Sequence, residues 1–222
     1  MRVRVLTYNV HSCRGGLDRV AGVIADQDPD VALIQECGRS STLVRLAETL
    51  GMASASSHRV FSRVHNAVLY RPEWRPAWSE VMDFPRRGRA MQRGFVAAHL
   101  RRMGLPITVI SCHLGLIPVE RGVHARVLTD FVGGIEGPVI VGLDLNEDPD
   151  GPAHRWIADR LFDVSGGGTE GGTFPARAPT ARIDYLFVSD GIEIRRAWVP
   201  NGPLVARASD HRPVAANLEI PD

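Results

Sequence analysis

Apolar runs along this chain end repeatedly on polar residues able to do chemistry. Val3–Tyr8 is followed by Asn9, Val31–Ile34 by Gln35 and Glu36, and Ile107–Cys112 by His113. Val139–Leu143 leads into Asp144-Leu145-Asn146, and Asp184 sits just inside the run Ile183–Val188. Ser209-Asp210-His211 precedes a last apolar run, Val214–Ile220. Carboxylates and amide carbonyls are the hard oxygen donors that suit Mg2+. An imidazole beside them adds a proton carrier or a donor to phosphate. Gathered in one place, such a set suits phosphoryl chemistry.

Spacing sharpens some of these positions and not others. Asp144 and Asn146 are two apart, so on an extended chain both face one way while Leu145 packs inward. The competing reading is an Asx turn that closes the strand. Glu36 also reads as a solvated strand end, Asn9 as a turn residue, and His113 as a capped or solvated histidine. His211 differs, because Asp184 stands in an apolar setting and a buried carboxylate needs a partner. An aspartate bonded to one imidazole nitrogen fixes the tautomer and raises the basicity of the ring. Asp210 can add a second carboxylate to a metal shell. Of the other histidines, His11 is expected at the mouth of the site and His124 on a helix face; His58, His65, His99 and His154 read as structural or surface residues.

The elements that must position these residues are strands more than helices. The sequence predicts strands over 3–8, 31–34, 58–61, 67–70, 78–82, 94–100, 107–112, 139–143, 183–188, 192–198 and 214–220. Apolar residues at 17, 20, 21, 24 and 25 predict a helix over 17–27. Further helices are expected over 42–50, capped by Gly51, over 119–132 and over 153–161. Arg101 to Pro106 reads as a hairpin turn and 164–180 as a loop. The glycines at 166–168 and 171–172 are not a phosphate loop, because no Gly-Lys-Ser/Thr opens a helix after them. Alternation is weak in the central strands, as expected of strands buried on both faces. The pattern fits two packed sheets with helices outside, and residues 1–222 read as a single domain.

Composition sets broader bounds. Of the 222 residues, 44% are apolar and 23% charged, enough for a large core in one globular unit. The net charge of +1 gives no strong push toward nucleic acid or an anionic membrane. Cys13, Cys37 and Cys112 cannot all pair and fit no zinc spacing; they read as small filler near strand ends. With no secretory signal and no apolar run near the ~18–20 residues of a membrane span, a cytoplasmic setting without a transmembrane segment is expected.

Seven segments, in order, carry a resemblance. They are Leu6-Thr7-Tyr8-Asn9-Val10, Asp30-Val31-Ala32-Leu33-Ile34-Gln35-Glu36, Asn66-Ala67-Val68-Leu69, Ser111-Cys112-His113-Leu114, Gly142-Leu143-Asp144-Leu145-Asn146, Arg182-Ile183-Asp184-Tyr185 and Ser209-Asp210-His211-Arg212-Pro213-Val214. Together they resemble the endonuclease/exonuclease/phosphatase superfamily, which includes deoxyribonuclease I, abasic-site endonucleases, neutral sphingomyelinases and inositol polyphosphate phosphatases. The resemblance implies a four-layer α/β/β/α sandwich: two mixed sheets face to face, helices outside, and a site built from loops at one edge. It implies that Glu36 is the principal ligand of Mg2+ or Mn2+, with Asn9 and Asp210 in the same shell. It implies that Asp144 orients or activates water, Asn146 contacts phosphate and His113 donates to the transition state, while Asp184 and His211 form the supporting pair. One departure stands out. The family places Gly directly before the Asp of Asp-x-Asn, whereas Leu143 is here and Gly142 lies one earlier. If that glycine serves close backbone approach, the strand end is shifted.

The expected activity is a divalent-metal-dependent phosphoesterase that hydrolyses a phosphodiester, or a monoester, by in-line attack of water. The substrate would be a small molecule or lipid, and no obligate protein partner is evident. The alternative is an endonuclease or exonuclease acting on DNA, and a third reading is a catalytically silent binding module. Pro85–Arg93, with four arginines, is the best basic candidate for substrate contact. A charge of only +1 and 6% aromatics weigh against a nucleic-acid binder.

Overall fold

The central strands are apolar at nearly every position, and the fold sorts those positions by parity into two different cores. A computed structural model describes residues 1–56, 65–166 and 171–221. His58, the expected strand over 58–61 and the glycines at 167 and 168 lie outside the described residues. The strands are β1 (Arg2–Asn9), β2 (Val31–Gln35), β3 (Ala53–Ser56), β4 (Ala67–Tyr70), β5 (Arg75–Asp83), β6 (Gly94–Arg102), β7 (Leu105–His113), β8 (Val139–Asp144), β9 (Phe162–Asp163), β10 (Asp184–Val188), β11 (Glu193–Trp198) and β12 (Val214–Glu219). The helices are α1 (Leu17–Gln27), α2 (Ser40–Leu50), α3 (Pro118–Gly133), α4 (Pro152–Ala158) and α5 (Val205–Ala208).

Two mixed six-stranded sheets form, ordered β11-β12-β1-β2-β4-β3 and β5-β6-β7-β8-β10-β9. Between them lies one core, holding Val3, Val5, Val31, Leu33, Val109, Ile140, Leu186 and Val188. The opposite parity of the first sheet, Leu6, Tyr8, Ala32 and Ile34, packs against Val20, Ile24, Leu43 and Leu46 of α1 and α2. The opposite parity of the second sheet, Ile110, Val141, Leu143, Tyr185 and Phe187, packs against Ala125, Leu128 and Ile157 of α3 and α4. The result is the expected four-layer α/β/β/α sandwich, and period two is hidden in the sequence because both parities are buried.

Several boundaries differ from expectation for local reasons. β3 is Ala-Ser-Ala-Ser at a sheet edge, with no β-branched residue to announce it. β9 has two residues and α5 has four, too short for periodicity to register. α4 stops at Ala158, three residues before the expected end, and the chain continues as a turn with Leu161 N bonded to Ile157 O. The β6–β7 hairpin turns on Met103 and Gly104 alone, with φ of 53° and 84°, closed by the Arg102–Leu105 pair.

Gly142 explains the departure noted above. It belongs to the inner parity of β8, and a Cβ there would meet Leu33 Cβ at 2.6 Å and Thr7 Oγ1 at 2.7 Å. The glycine is therefore used for close approach of the two sheets, while Leu143 fills the core under α3 and α4. The end of β8 is not displaced in register: Asp144 stays paired with both neighbouring strands.

Candidate active site

The inner parity changes character toward one end of the sandwich. On β7 it runs Ile107, Val109, Ser111, His113; on β8 Ile140, Gly142, Asp144; on β10 Val188, Leu186, Asp184. Facing them, β1 runs Val3, Val5, Thr7, Asn9 and β2 runs Val31, Leu33, Gln35. Register then aligns the polar ends, since Asp144 pairs with His113 across β7–β8 and with Asp184 across β8–β10. A row of three titratable side chains follows from strand pairing alone.

A buried polar clasp joins the sheets just beneath. Gln35 Nε2 donates to Ser111 Oγ at 3.2 Å and to Thr7 Oγ1 at 3.1 Å, and Ser111 Oγ donates to Ile34 O at 2.7 Å. Above it, Asn9 Nδ2 donates to Asp144 Oδ2 at 2.8 Å, linking β1 to β8.

Asp144 and Asn146 do converge, but not by extended alternation. β8 ends at Asp144, and Asn146 has φ of 56°, with its N donating to Asp144 Oδ1 at 3.1 Å. This is the Asx turn, and it brings both residues to His113 while Leu145 packs inward. His113 Nε2 lies 3.1 Å from Asp144 Oδ2 and 3.1 Å from Asn146 Nδ2. Asn146 Nδ2 donates to Leu114 O at 3.1 Å. On the other side, Arg93 donates to His113 Nδ1 at 2.9 Å. Since Nδ1 accepts, the proton sits on Nε2 and points at Asp144. Burial first, then the Arg93 and His211 charges, hold this ring neutral against the pull of Asp144, with its pKa down to about 3.

His211 is the opposite case. Its Nδ1 lies 2.9 Å from Asp184 Oδ2, and its Nε2 lies 3.9 Å from Asp144 Oδ2. Burial opposes the charge, but the charge and hydrogen bond of Asp184, with Asp144 and Asp210 behind, outweigh it and raise the pKa to about 10. Thr173 Oγ1 accepts from Asp184 N at 3.2 Å, and Phe174 lies against the His211 ring at 4.9 Å between centroids. Ser209 Oγ donates to Asn9 O at 2.7 Å, tying the segment 209–211 to the end of β1.

The remaining acids lie around this centre. Glu36 has φ of 49°, just past β2, and its carboxylate is 3.7 Å from Arg93 and 3.9 Å from His113 Nδ1. Asp210 Oδ1 is 3.1 Å from His11 Nδ1, which places His11 at the mouth, as expected. His11, Ser12 and Cys13 all have positive φ, a backbone cost of ~1–3 kcal/mol each, in the turn that carries the chain past Asp210. The tight acid–imidazole cluster is Asp144, Asp184 and His211, with ligand atoms within 4.8 Å of one another. A charged His211 has no lone pair to give a metal, whereas Glu36, Asn9 and Asp210 carry oxygens of the kind that hard ions take. Beside Glu36, His113 and Arg93 opens a pocket of about 230 Å3 that Arg14 and Met91 also line. A larger groove of about 690 Å3, lined by Arg2, Arg4, Asp30 and Arg102, lies at the other end of β1; it gathers no histidine.

Sequence reasoning treated Arg93 as one of four equivalent arginines. In the fold Arg86, Arg87 and Arg89 are exposed, whereas Arg93 enters the site. Its signal was position: it directly precedes β6, whose Gly94 pairs with His113. Thr173 and Phe174 carried no such signal, because they lie in the long loop before β10. His124 lies on α3 as expected, and both it and His154, the latter in a structural role, are buried. His124 Nδ1 accepts from Gly115 N at 3.2 Å, and His154 Nε2 lies 3.1 Å from Asp163.

Known proteins share this architecture. The structure of an endonuclease/exonuclease/phosphatase from Bacteroides vulgatus matches with a TM-score of 0.87 at 19% identity, covering 100% of both chains. A mannosyl-6-phosphatase from Bacteroides thetaiotaomicron matches with a TM-score of 0.83 at 21% identity, over 98% of this chain and 100% of that one. The D. rerio TDP2 structure, complexed with a single-strand DNA product, matches with a TM-score of 0.82 at 16% identity, over 98% and 99%. No curated protein sequence matches the chain. The sequence profile of the endonuclease/exonuclease/phosphatase family matches residues 6–211. With that match spanning nearly its whole length, the chain belongs to the endonuclease/exonuclease/phosphatase family.

Proposed function

We propose that this chain, acting as one domain, hydrolyses phosphodiesters with a divalent cation, Mg2+ or Mn2+, by in-line attack of water. The observation that carries the reading is the line Asp184–His211–Asp144, in which a charged ring faces a second carboxylate across 3.9 Å. Glu36, Asn9 and Asp210 would hold the cation. Their oxygens fit a hard ion, and among the described residues nothing lies within hydrogen-bond distance of the Glu36 carboxylate. Once bound, the ion supplies charge to a phosphoryl oxygen and to the leaving oxygen.

The rest is done by the chain itself. His211 carries a proton on both nitrogens near neutral pH, so it acts as a donor to a phosphoryl oxygen and not as the base. The base is then Asp144, which holds the attacking water and takes its proton. Asn146 stabilises a transition-state oxygen, while the Nε2–H of His113 holds the Asp144 carboxylate in place. Asp184 keeps His211 charged and oriented. Cys13, Cys37 and Cys112 are free thiols, which supports a reducing, cytoplasmic setting.

The exposed Arg86, Arg87 and Arg89 beside the site support a second reading, hydrolysis of DNA, and TDP2 on the same fold is recorded with single-strand DNA product. The test is a panel of plasmid, abasic oligonucleotide and a chromogenic phosphodiester, each with Mg2+ and Mn2+. Turnover of the small ester with intact DNA supports the first reading. DNA cleavage that weakens steeply with salt supports the second. No turnover of any member sinks both.

A further inference from the structure

Next to the site, the loop after β7 and the first turns of α3 expose an aliphatic cluster that no element among the described residues covers. Leu116, Ile117, Val119 and Val123 are between 42% and 66% exposed, and Met91 is 68% exposed. They are contiguous with the active site. Met91 and Arg93 line the pocket beside Glu36 and His113, and they also line an apolar one formed with Leu116, Ile117 and Glu120. The segment before β6 is held there, since Arg87 N donates to Glu120 Oε1 at 2.8 Å and His124 Nε2 lies 2.9 Å from Pro85 O. That segment carries Arg86, Arg87 and Arg89, all exposed and without an ion-pair partner among the described residues. The nearest acid on α3, Glu120, is buried, with Oε1 taken by Arg87 N.

Grouped aliphatic side chains flanked by unpaired arginines are what an anionic lipid surface recognises, the apolar groups entering the acyl boundary and the cations meeting the headgroups. A nucleic-acid surface would instead offer aromatic rings for bases, and this cluster has none. We propose that this face docks on anionic lipid surfaces and that the site takes the phosphoester of an amphiphile held there. The substrate class rests on the phosphoesterase reading of the same site; the docking does not.

The test uses the purified full chain and sedimentation with vesicles of phosphatidylcholine alone or with about 30% phosphatidylserine. One variant carries Leu116→Ser, Ile117→Ser and Val119→Ser; the other carries Arg86→Gln, Arg87→Gln and Arg89→Gln. All six side chains are exposed, so folding is expected to persist. Each arginine is expected to contribute roughly fivefold at an anionic surface. The expected result is binding to the anionic vesicles that weakens by tenfold or more in either variant, while hydrolysis of a soluble chromogenic diester by the serine variant stays within about twofold. Hydrolysis of the soluble ester without vesicle binding overturns the docking and spares the phosphoesterase. Vesicle binding without any hydrolysis supports the docking and sinks the phosphoesterase. Affinity for a single-stranded oligonucleotide in place of vesicles, lost in the arginine variant, overturns the proposal in favour of nucleic acid. Self-association abolished by the serine variant overturns it in favour of a second copy.

Discussion

His211 stands between two aspartates, with Nδ1 2.9 Å from Asp184 Oδ2 and Nε2 3.9 Å from Asp144 Oδ2. Burial works against its charge, yet Asp184 holds the ring protonated to about pH 10. If the charged ring is the form that donates to phosphate, activity persists until that proton is lost. The pH profile of kcat/KM should therefore keep its alkaline limb near pH 10 in the wild type. In Asp184→Asn the limb should move toward the ordinary histidine value, with kcat lower by roughly 10²–10⁴-fold. A variant profile that superimposes on the wild type contradicts the donor role.

The same pair sets a stability trend. A pKa raised on folding gives stabilisation that is complete below the unfolded value of about 6.5 and is lost as pH rises through the folded value of about 10. The unfolding free energy of the wild type, from denaturant titration, should fall across that window by up to a few kcal/mol relative to Asp184→Asn. Parallel curves for the two proteins would exclude the linkage.

Arg93 fixes the tautomer of His113 by donating to Nδ1. Arg93→Ala should release the proton to distribute over both ring nitrogens, visible in 15N chemical shifts, and lower kcat by roughly 10–100-fold, the range typical of groups that orient a functional side chain. His113 should remain neutral, because burial is the first cause of its low pKa. Retention of the pure Nε2–H form in the variant would show that Asp144 alone sets it.

Gly142→Ala would drive a Cβ to within 2.6 Å of Leu33 and 2.7 Å of Thr7 Oγ1. Overpacking of this kind costs ~1–3 kcal/mol, and here it also presses on the Thr7–Gln35–Ser111 clasp. Urea unfolding should record the loss. An alanine variant as stable as the wild type would remove the packing explanation for Leu143 and Gly142 standing where they do.

Much of this was legible in the sequence because the informative residues terminate apolar strands. The span of α1 and the strand Ala67–Tyr70 follow from runs and breaks in hydrophobicity, and the pairing of Asp184 with His211 was proposable because a buried carboxylate needs a partner. Parity held the finer information. Thr7, Gln35, Ser111 and Gly142 lie on the same inner face as Asn9, His113 and Asp144, but an apolar run buried on both sides hides which positions share a face. The Asx turn at Asn146 was legible only as one of two alternatives, since an aspartate followed two residues on by an asparagine serves a strand or a turn equally well. Arg93 stayed hidden among exposed arginines, because its role comes from the pairing of Gly94 with His113, a tertiary fact. The loop residues Thr173 and Phe174 were invisible, since they reach the site through contacts more than ten residues distant in the chain, such as Thr173 with Asp184.

The proposed roles of Glu36 as cation ligand and Asp144 as base can be read in one experiment. The direct measurement is calorimetric titration of Mn2+ into the purified chain, paired with Mn2+-dependent turnover of a chromogenic phosphodiester, for wild type, Glu36→Ala and Asp144→Asn. Glu36→Ala is expected to lose both ion binding and turnover, while Asp144→Asn still binds the ion but turns over at least about 10²-fold more slowly. Full ion affinity in Glu36→Ala, or wild-type turnover in Asp144→Asn, would contradict these roles.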